Sequence, residues 1–372
     1  MTEPVVGVMG AYGAVGRTVA HRLHENHRRL RLGGRNAESL GRFELGDEVE
    51  THVLDLTDAA ALARFCAGCA VVINCAGPSH RITDTVARAA VAAGADYVDP
   101  GGDERLLAQL SAFAEHGRTA ILAAGVLPGL SALLPRFLSR TLDRSRCLTV
   151  YHGVRDRFTA SAAADFLAGL DADESLASWA DGRRRSGGVT RLVDIELPLF
   201  SSRVTAHPYL SAEGERIARL LELENGRWYN VFDGRQLLAS LDRFAGRAAA
   251  GMASNDLDAT TRRLMRAAEL DVVGLTPHLT LLIQLDGERG GLPATRSLVL
   301  RANAAAGLTA ATAVSATEAI LDGTIGPGAQ FAAAALDPEL AVDQLRADPA
   351  VVRFDVVDEP LAHFEETEEG AL

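Results

Sequence analysis

Three glycines at every third position near the N-terminus constrain this chain more than any other feature. Residues 5–16 read VVGVMGAYGAVG, in which Gly10, Gly13 and Gly16 follow a β-branched run and precede an amphipathic stretch. The pattern predicts a buried strand, a tight turn and the start of a helix. Glycines in such a turn let backbone N–H groups approach a pyrophosphate, and the helix N-terminus favours negative charge. The segment therefore predicts a dinucleotide site, although this spacing also suits close packing of a helix on a strand.

Strand-like and helix-like segments alternate through the first third of the chain. Apolar runs recur after the first strand, and alanine-rich stretches with helical spacing (83–93 and 104–115) lie between the later ones. Six strands alternating with helices are typical of a Rossmann-type α/β domain with a doubly wound parallel sheet. The strands after the first are predicted at 30–36, 49–55, 70–78, 95–104 and 119–129.

The end of the second strand indicates which dinucleotide is bound. NAD sites usually place an acidic residue there, on the ribose 2′-hydroxyl, whereas this chain has Gly34, Arg35 and Asn36. A guanidinium binds a 2′-phosphate through charge-assisted hydrogen bonds, so we predict NADP(H); the alternative is a surface arginine in a turn. Asp55, which closes the third strand, is placed to reach the adenine. The residues predicted to contact the cofactor are Gly10, Tyr12, Gly13, Ala14, Val15, Gly16, Gly34, Arg35, Asn36, Asp55, Cys75, Ala76, Gly77 and Pro78.

The second half of the chain has a different periodicity. Residues 278–303 read as two long strands joined by a polar Gly/Pro turn, which predicts a hairpin. We therefore predict a second, α+β domain with an antiparallel sheet. The predicted domains are an NAD(P)-binding domain at 1–128, a substrate domain at 129–305, and a C-terminal helix and tail at 306–372. That helix either packs back on the first domain or stays within the second.

Charge and residue types exclude several classes of function. The formal net charge of −12 argues against a nucleic-acid partner, and the absence of lysine excludes Schiff-base catalysis. No apolar run reaches the length of a membrane-spanning helix and no secretory signal is visible, so we expect a cytoplasmic protein without a membrane partner. Cys66 and Cys69 have C-x-x-C spacing but no second pair; we interpret them as buried structural residues and predict no metal site.

With these motifs the chain resembles the saccharopine dehydrogenase-like family. The resemblance covers residues 5–138 and rests on the segments GAYGAVG, GGRN, NCAGP, ARAAVAAGADYVDPGGDE and GVLPGLSALL, in that order. It implies an NADP-binding Rossmann domain and a nicotinamide-dependent oxidoreductase, often one acting on C–N bonds of amino-acid derivatives. Members typically carry Tyr-x-Asp and then Gly-Glu at the fifth strand. Tyr97, Asp99 and Gly102 match this pattern, and Asp103 replaces the glutamate.

The catalytic residues are less strongly indicated than the cofactor site. Hydride transfer needs geometry, and a proton donor is required only where the substrate is not already protonated. The candidate donors are Asp99, Tyr97 and His152, with His278 as a further candidate; both histidines also suit a structural role. The basic run 183–185 is interpreted as a solvated loop or, alternatively, as a binding site for a substrate carboxylate or the cofactor phosphates.

Three hypotheses for the function follow from these residues. The first is an NADPH-dependent reductase of the C=N bond in an amino-acid-derived imine. The second is a C=C or C=O reductase acting on a larger apolar substrate, and the third is a non-catalytic, NADP-binding regulator. A small-molecule substrate is expected as partner, and the oligomeric state stays open, with a homodimer as the candidate assembly.

Overall fold

The computed structural model describes residues 3–46, 49–168, 176–187, 189–248 and 254–364. The chain divides into two compact units, and each is built from two stretches of sequence. The first unit comprises residues 1–133 and 306–345, and the second comprises residues 134–305 and 346–372. These divisions fall near the predicted boundaries at 128 and 305, and they add a third at residue 345.

Most of the strands and helices follow the apolar periodicity of the sequence; the strands at Arg183–Ser186 and Gly328–Phe331 do not. The strands are β1 (Val5–Met9), β2 (Arg29–Gly34), β3 (Glu50–Val53), β4 (Cys69–Asn74), β5 (Asp96–Val98), β6 (Thr119–Leu122), β7 (Arg144–Arg155), β8 (Ala177–Ala180), β9 (Arg183–Ser186), β10 (Leu192–Ile195), β11 (Val204–Pro208), β12 (Asn225–Phe232), β13 (His278–Arg289), β14 (Leu292–Ala302), β15 (Gly328–Phe331) and β16 (Val351–Val357). The helices are α1 (Ala14–Glu25), α2 (Ala37–Gly41), α3 (Ala59–Cys66), α4 (Ser79–Ile82), α5 (Thr85–Ala92), α6 (Glu104–Gln109), α7 (Ala112–Glu115), α8 (Leu130–Ser139), α9 (Ala160–Ala168), α10 (Ala212–Leu220), α11 (Arg235–Ala248), α12 (Ser254–Val272), α13 (Ala305–Leu321), α14 (Ala332–Ala335) and α15 (Pro338–Ala347), followed by a 3-10 turn at Leu361–His363.

The first unit contains a seven-stranded sheet in which every neighbouring pair is parallel. The strand order is β15-β6-β5-β4-β1-β2-β3. The central strands are buried on both faces, as expected where helices cover a parallel sheet. This arrangement confirms the predicted Rossmann-type doubly wound sheet. It also places the carboxyl ends of β1, β2, β4 and β5 at one edge of the sheet.

The last segment of the first unit supplies a strand that the sequence analysis did not predict. Gly328–Phe331 pairs with Thr119–Leu122 as the seventh, terminal strand of the sheet. Helix α13, in the same part of the chain (306–345), is tied to the residues before β2: the Nε of Arg28 lies 3.1 Å from the Glu318 carboxylate of α13. Helix α13 ends before Gly323, whose φ of +69° suits a residue without a side chain.

The second unit is built on a mixed sheet with the order β10-β11-β12-β7-β13-β14-β16. Strands β13 and β14 form the predicted hairpin, paired from Leu279 to Arg289 with Ala302 to Leu292. Strands β7 and β12 pair in parallel, whereas the other neighbouring pairs are antiparallel. The α+β domain is therefore confirmed, with one parallel pair inside its sheet.

Two negative observations concern the residues that the structure describes. None of the helices in these residues is both long and apolar enough to span a membrane. Within the same ranges, histidine, cysteine, aspartate and glutamate side chains form no group that could hold a metal ion.

Candidate cofactor site and active site

The turn between β1 and α1 has the geometry of a cradle that side chains would fill. Gly10 has a φ of +73°, and a Cβ added to it would lie 2.6 Å from the backbone nitrogen of Ala76. A Cβ on Gly16 would lie 2.3 Å from the carbonyl oxygen of Gly10. Real Cβ atoms do not make such contacts, so glycine is required at both positions for β1, α1 and the end of β4 to approach one another. The turn fits a pyrophosphate against bare backbone.

The N-terminus of α1 follows directly from this turn. Gly13 is the N-cap residue, and no side chain of the described part of the chain caps the helix there. The first-turn N–H groups have no partner within a helix, and they carry the positive end of its dipole. Ala14, Val15 and Gly16 occupy this first turn. These residues lie at the positive end of the helix dipole, and their binding of a phosphate group stays a prediction.

The ends of β2 and β3 bring the predicted adenosine-binding residues near one another. Arg35 is exposed directly after β2. Asn36 accepts a hydrogen bond from the Ser39 backbone N–H at 2.7 Å, so its side-chain oxygen caps α2. Asp55 accepts hydrogen bonds from the N–H and hydroxyl of Thr57, at 2.9 and 2.7 Å. These bonds hold the pKa of Asp55 below its ordinary value, with a smaller contribution from the charge of Arg35.

Tyr12 occupies the position of the usual second glycine and packs against Gly34. A Cβ added to Gly34 would lie 2.4 Å from the Tyr12 ring. The tyrosine ring therefore takes the space that a side chain at position 34 would need. The two residues form a matched pair at the end of β2, next to Arg35.

Asp99 lies at the carboxyl end of β5 and is the centre of a buried hydrogen-bond cluster. It is 5% exposed. Its Oδ2 accepts hydrogen bonds from the Tyr97 hydroxyl at 2.6 Å and from Asn74 Nδ2 at 3.0 Å, and its Oδ1 accepts one from the Gly101 N–H at 2.9 Å. These donors favour the ionised form of the carboxyl group, whereas its burial opposes ionisation. Asn74 and Gly101 were missed by sequence reasoning, although a polar residue closing a buried strand, as Asn74 does, is a signal that could have found the first.

Tyr97 is placed to support Asp99 rather than to contact a substrate. Its side chain is fully buried in the core of the first unit, and its hydroxyl donates to Asp99. Burial raises the pKa of Tyr97 well above its ordinary value, and the adjacent Asp99 carboxylate raises it further. Burial likewise raises the pKa of the Cys75 thiol, which follows β4. Neither group is tuned to give up a proton near neutral pH.

Replacing Tyr97 with phenylalanine tests this supporting role. The change leaves the ring in the core and removes one of three donors to a buried carboxylate, so we expect a loss of roughly 1–3 kcal/mol in the free energy of unfolding. Denaturant unfolding of the variant and wild type measures it. A change in stability below a few tenths of a kcal/mol would show that the hydroxyl is not needed to hold Asp99.

The predicted histidines lie on the sheet of the second unit. His152 is on β7, 9% exposed, and its Nε2 has no hydrogen-bond partner among the described residues. Burial lowers the pKa of His152 to about 4, so its ring is neutral at pH 7. His278 is engaged at both nitrogens, by Asp233 at 3.0 Å and by the Thr280 hydroxyl at 3.1 Å. Arg155 Nη1 also lies 2.9 Å from the Asp233 carboxylate, whereas the buried Arg155 Nε has no hydrogen-bond partner among the described residues.

The arginine run and the cysteine pair have structural environments. Residues 183–186 form strand β9 of a short hairpin rather than a loop. Arg184 pairs with Glu215, and Arg185 lies 3.1 Å from Asp181. Cys66 and Cys69 are both buried thiols, and burial raises the pKa of Cys66 to about 12. These environments favour the structural interpretation of both motifs.

Comparison with known proteins gives the family of the first unit. Residues 6–121 match the family model described as the saccharopine dehydrogenase NADP binding domain. The N-terminal domain is a saccharopine dehydrogenase-type NADP-binding domain. The match confirms the predicted resemblance and the predicted cofactor, NADP(H). The matched residues of this saccharopine dehydrogenase-type domain include the glycine turn, Arg35, Asp55 and the Asp99 cluster. No curated protein matches the chain in sequence.

Solved structures extend the similarity of fold to most of the chain. The chain is similar to saccharopine dehydrogenase (L-Glu forming) from Saccharomyces cerevisiae, with 16% identity, a TM-score of 0.70, and coverage of 95% of this chain and 100% of that one. It is also similar to the DAP dehydrogenase of C. glutamicum, with 16% identity, a TM-score of 0.50, and coverage of 94% and 100%. The fold downstream of the saccharopine dehydrogenase-type domain is thus shared with dehydrogenases. The predicted class, an NAD(P)-dependent oxidoreductase, is confirmed by the family match of the first unit.

Proposed function

We propose that this oxidoreductase uses NADPH to reduce the C=N bond of an imine derived from an amino acid. When bound, the cofactor supplies the hydride. The choice of a C=N bond rests on the pKa values and hydrogen bonds of the predicted proton donors. Neither Tyr97 nor His152 holds a proton that it would readily give to a substrate at neutral pH.

Tyr97 and His152 are poor proton donors for different physical reasons, and the other two candidates have their polar atoms hydrogen-bonded within the protein. The Tyr97 proton is shared with a buried carboxylate, and the pKa of Tyr97 is raised well above its ordinary value by burial. Asp99 accepts three hydrogen bonds, which favour the carboxylate. The low pKa of His152 leaves its ring neutral, and His278 has both nitrogens engaged.

This set of side chains suits a substrate that brings its own proton. An iminium ion is already protonated, so hydride addition completes its reduction without an acid from the protein. A ketone or an enone develops negative charge on oxygen and needs a donor there. The residues therefore favour the imine over the C=O and C=C alternatives.

Binding of the cofactor is assigned to residues of the first unit. The glycine turn and the N-terminus of α1 would hold the pyrophosphate, and Arg35 would hold the 2′-phosphate. The Oδ1 atoms of Asn36 and Asp55 are engaged in a helix cap and a turn, and neither side chain is positively charged, so both contribute less than Arg35. Substrate binding by the second unit, a cytoplasmic location and a homodimer remain predictions.

A panel of acceptors tests the proposed reaction. Loss of NADPH absorbance is followed with a cyclic imine (1-piperideine-2-carboxylate), with pyruvate and with 2-cyclohexenone. We expect oxidation with the cyclic imine, at a rate that falls as pH rises through the pKa of the imine, because the iminium is the acceptor. Turnover of pyruvate or the enone without the imine would contradict the proposal. Tight NADPH binding with no turnover of any acceptor would favour the regulator.

A further inference from the structure

Three polar side chains form a row across one face of the sheet in the second unit. His207 on β11 is the register partner of Asn230 on β12, and Asn230 is the register partner of His152 on β7. Register partners on adjacent strands point to the same face, and their strands lie about 4.8 Å apart. We call His207, Asn230 and His152 the polar row.

The inner end of the polar row, at His152, lies among apolar residues. On the same face, the row is followed across β13 and β14 by Leu281 and Leu300, both fully buried. Two residues before the row lie the buried side chains of Val150 and Trp228. His152 is therefore a hydrogen-bonding side chain among hydrophobic ones, where an unsatisfied polar atom is costly.

Both histidines of the polar row have a buried nitrogen that lacks a partner. The Nε2 atoms of His152 and His207 are buried without a hydrogen bond to any described residue. His152, at the inner end, is nine-tenths buried, whereas Asn230 and His207 are partly exposed. A buried donor or acceptor left unsatisfied costs about 1–3 kcal/mol, so an occupant that pairs with these atoms gains affinity from them.

The polar row carries no charge at neutral pH. Burial lowers the pKa of His152 to about 4. Burial also lowers the pKa of His207, with a further lowering by Arg191 that is opposed by Asp242. Arg191 and Asp242 pair with each other beside the row. A neutral imidazole offers one donor and one acceptor, and an asparagine amide offers two donors and one acceptor.

We propose that the polar row is a binding site for an uncharged hydrogen-bonding group of the substrate, namely a carboxamide. A carboxamide has an acceptor oxygen and donor hydrogens, which complement neutral imidazoles and an amide. A carboxylate would be desolvated there without a free countercharge, because Arg191 is already paired with Asp242, and this disfavours it. The site rests on the proposed function in one respect: the ligand is taken to be an amino-acid derivative.

A matched pair of amino acids tests the chemistry of this site. L-glutamine and L-glutamate are titrated by calorimetry into the full chain saturated with NADPH. We expect L-glutamine to bind at least about tenfold more tightly than L-glutamate, which corresponds to one decade of affinity or about 1.4 kcal/mol. Tighter binding of L-glutamate, or no binding of L-glutamine, would overturn the proposal.

Two variants on one strand locate the binding. Asn230→Leu removes the centre of the polar row and should weaken L-glutamine binding at least about tenfold, the effect of one lost hydrogen-bonding side chain. Asn225→Leu, at the exposed start of the same strand, is the control and should leave L-glutamine affinity unchanged. Equal losses in both variants would overturn the assignment. NADPH affinity is measured in parallel, so failure of the cofactor site is distinguished from failure of the polar row.

Discussion

Replacing Gly10 with alanine is expected to destabilise the first unit and to abolish NADPH binding. A non-glycine residue at the φ of +73° costs about 1–2 kcal/mol. The new Cβ would also lie 2.6 Å from the Ala76 backbone nitrogen and 2.7 Å from the Cys75 carbonyl carbon. Since these are backbone atoms, β1 and the end of β4 must separate, which adds about 1–3 kcal/mol of overpacking. Denaturant unfolding and NADPH titration measure both effects.

Gly68→Ala is the matched control for this substitution. Gly68 has nearly the same φ, +74°, but a Cβ there would meet nothing within 4 Å. It should cost only the backbone strain, about 1–2 kcal/mol, and leave NADPH affinity intact. Equal destabilisation by the two alanines would show that the close approach of β1 to β4 is not what requires glycine at position 10.

Replacing His152 with glutamine is expected to flatten the pH dependence of stability between about pH 4 and pH 6.5. In the folded chain burial lowers the pKa of His152 from its ordinary 6.5 to about 4. The unfolded chain therefore binds a proton that the folded chain does not, and protonation favours unfolding in this range. The contribution is fully present above pH 6.5 and is lost as pH falls towards 4. A shift of this size corresponds to about 3 kcal/mol, at roughly 1.4 kcal/mol per pH unit.

The comparison requires the free energy of unfolding at several pH values for wild type and variant. Wild type should lose about 3 kcal/mol more than His152→Gln between pH 7 and pH 4. His24→Gln, at an exposed position of α1, is the control and should keep the wild-type slope. Parallel curves for wild type and His152→Gln would mean that His152 is solvated rather than buried in the folded chain.

The Rossmann-type sheet could be predicted because its signals are local. Each strand of the first unit is a short apolar run followed by small or polar residues, and the glycine spacing marks the first turn. Strand β15 could not be predicted in the same way. Gly328–Phe331 has little apolar pattern of its own, and it is a strand because Thr119–Leu122 offers an unpaired edge. Residues 183–186 were misjudged for a related reason, since three arginines carry no strand signal until Ala177–Ala180 pairs with them.

The candidate site shows the same division between local and long-range information. The cofactor residues are adjacent in sequence to strand ends, so their clustering follows from the topology of a parallel sheet. The partners of Asp99 include Asn74, which is distant in sequence, and only strand order brings β4 beside β5. The polar row depends on register across three strands, which sequence periodicity does not determine. Burial also changed the interpretation of Tyr97, because a tyrosine two residues before an aspartate looks the same in sequence whether or not it is exposed.

Titration of NADPH and NADH into wild type and Arg35→Ala tests most directly whether the first unit is an NADP site. Arg35 is exposed at the end of β2, where a charge-assisted bond to a 2′-phosphate is worth about 1.5–3 kcal/mol, or about 10- to 150-fold in affinity. We expect wild type to bind NADPH at least about tenfold more tightly than NADH, and Arg35→Ala to lose most of that preference while NADH binding is nearly unchanged. Equal affinities in wild type, or equal weakening of both cofactors by the substitution, would contradict the assignment of Arg35 to the 2′-phosphate.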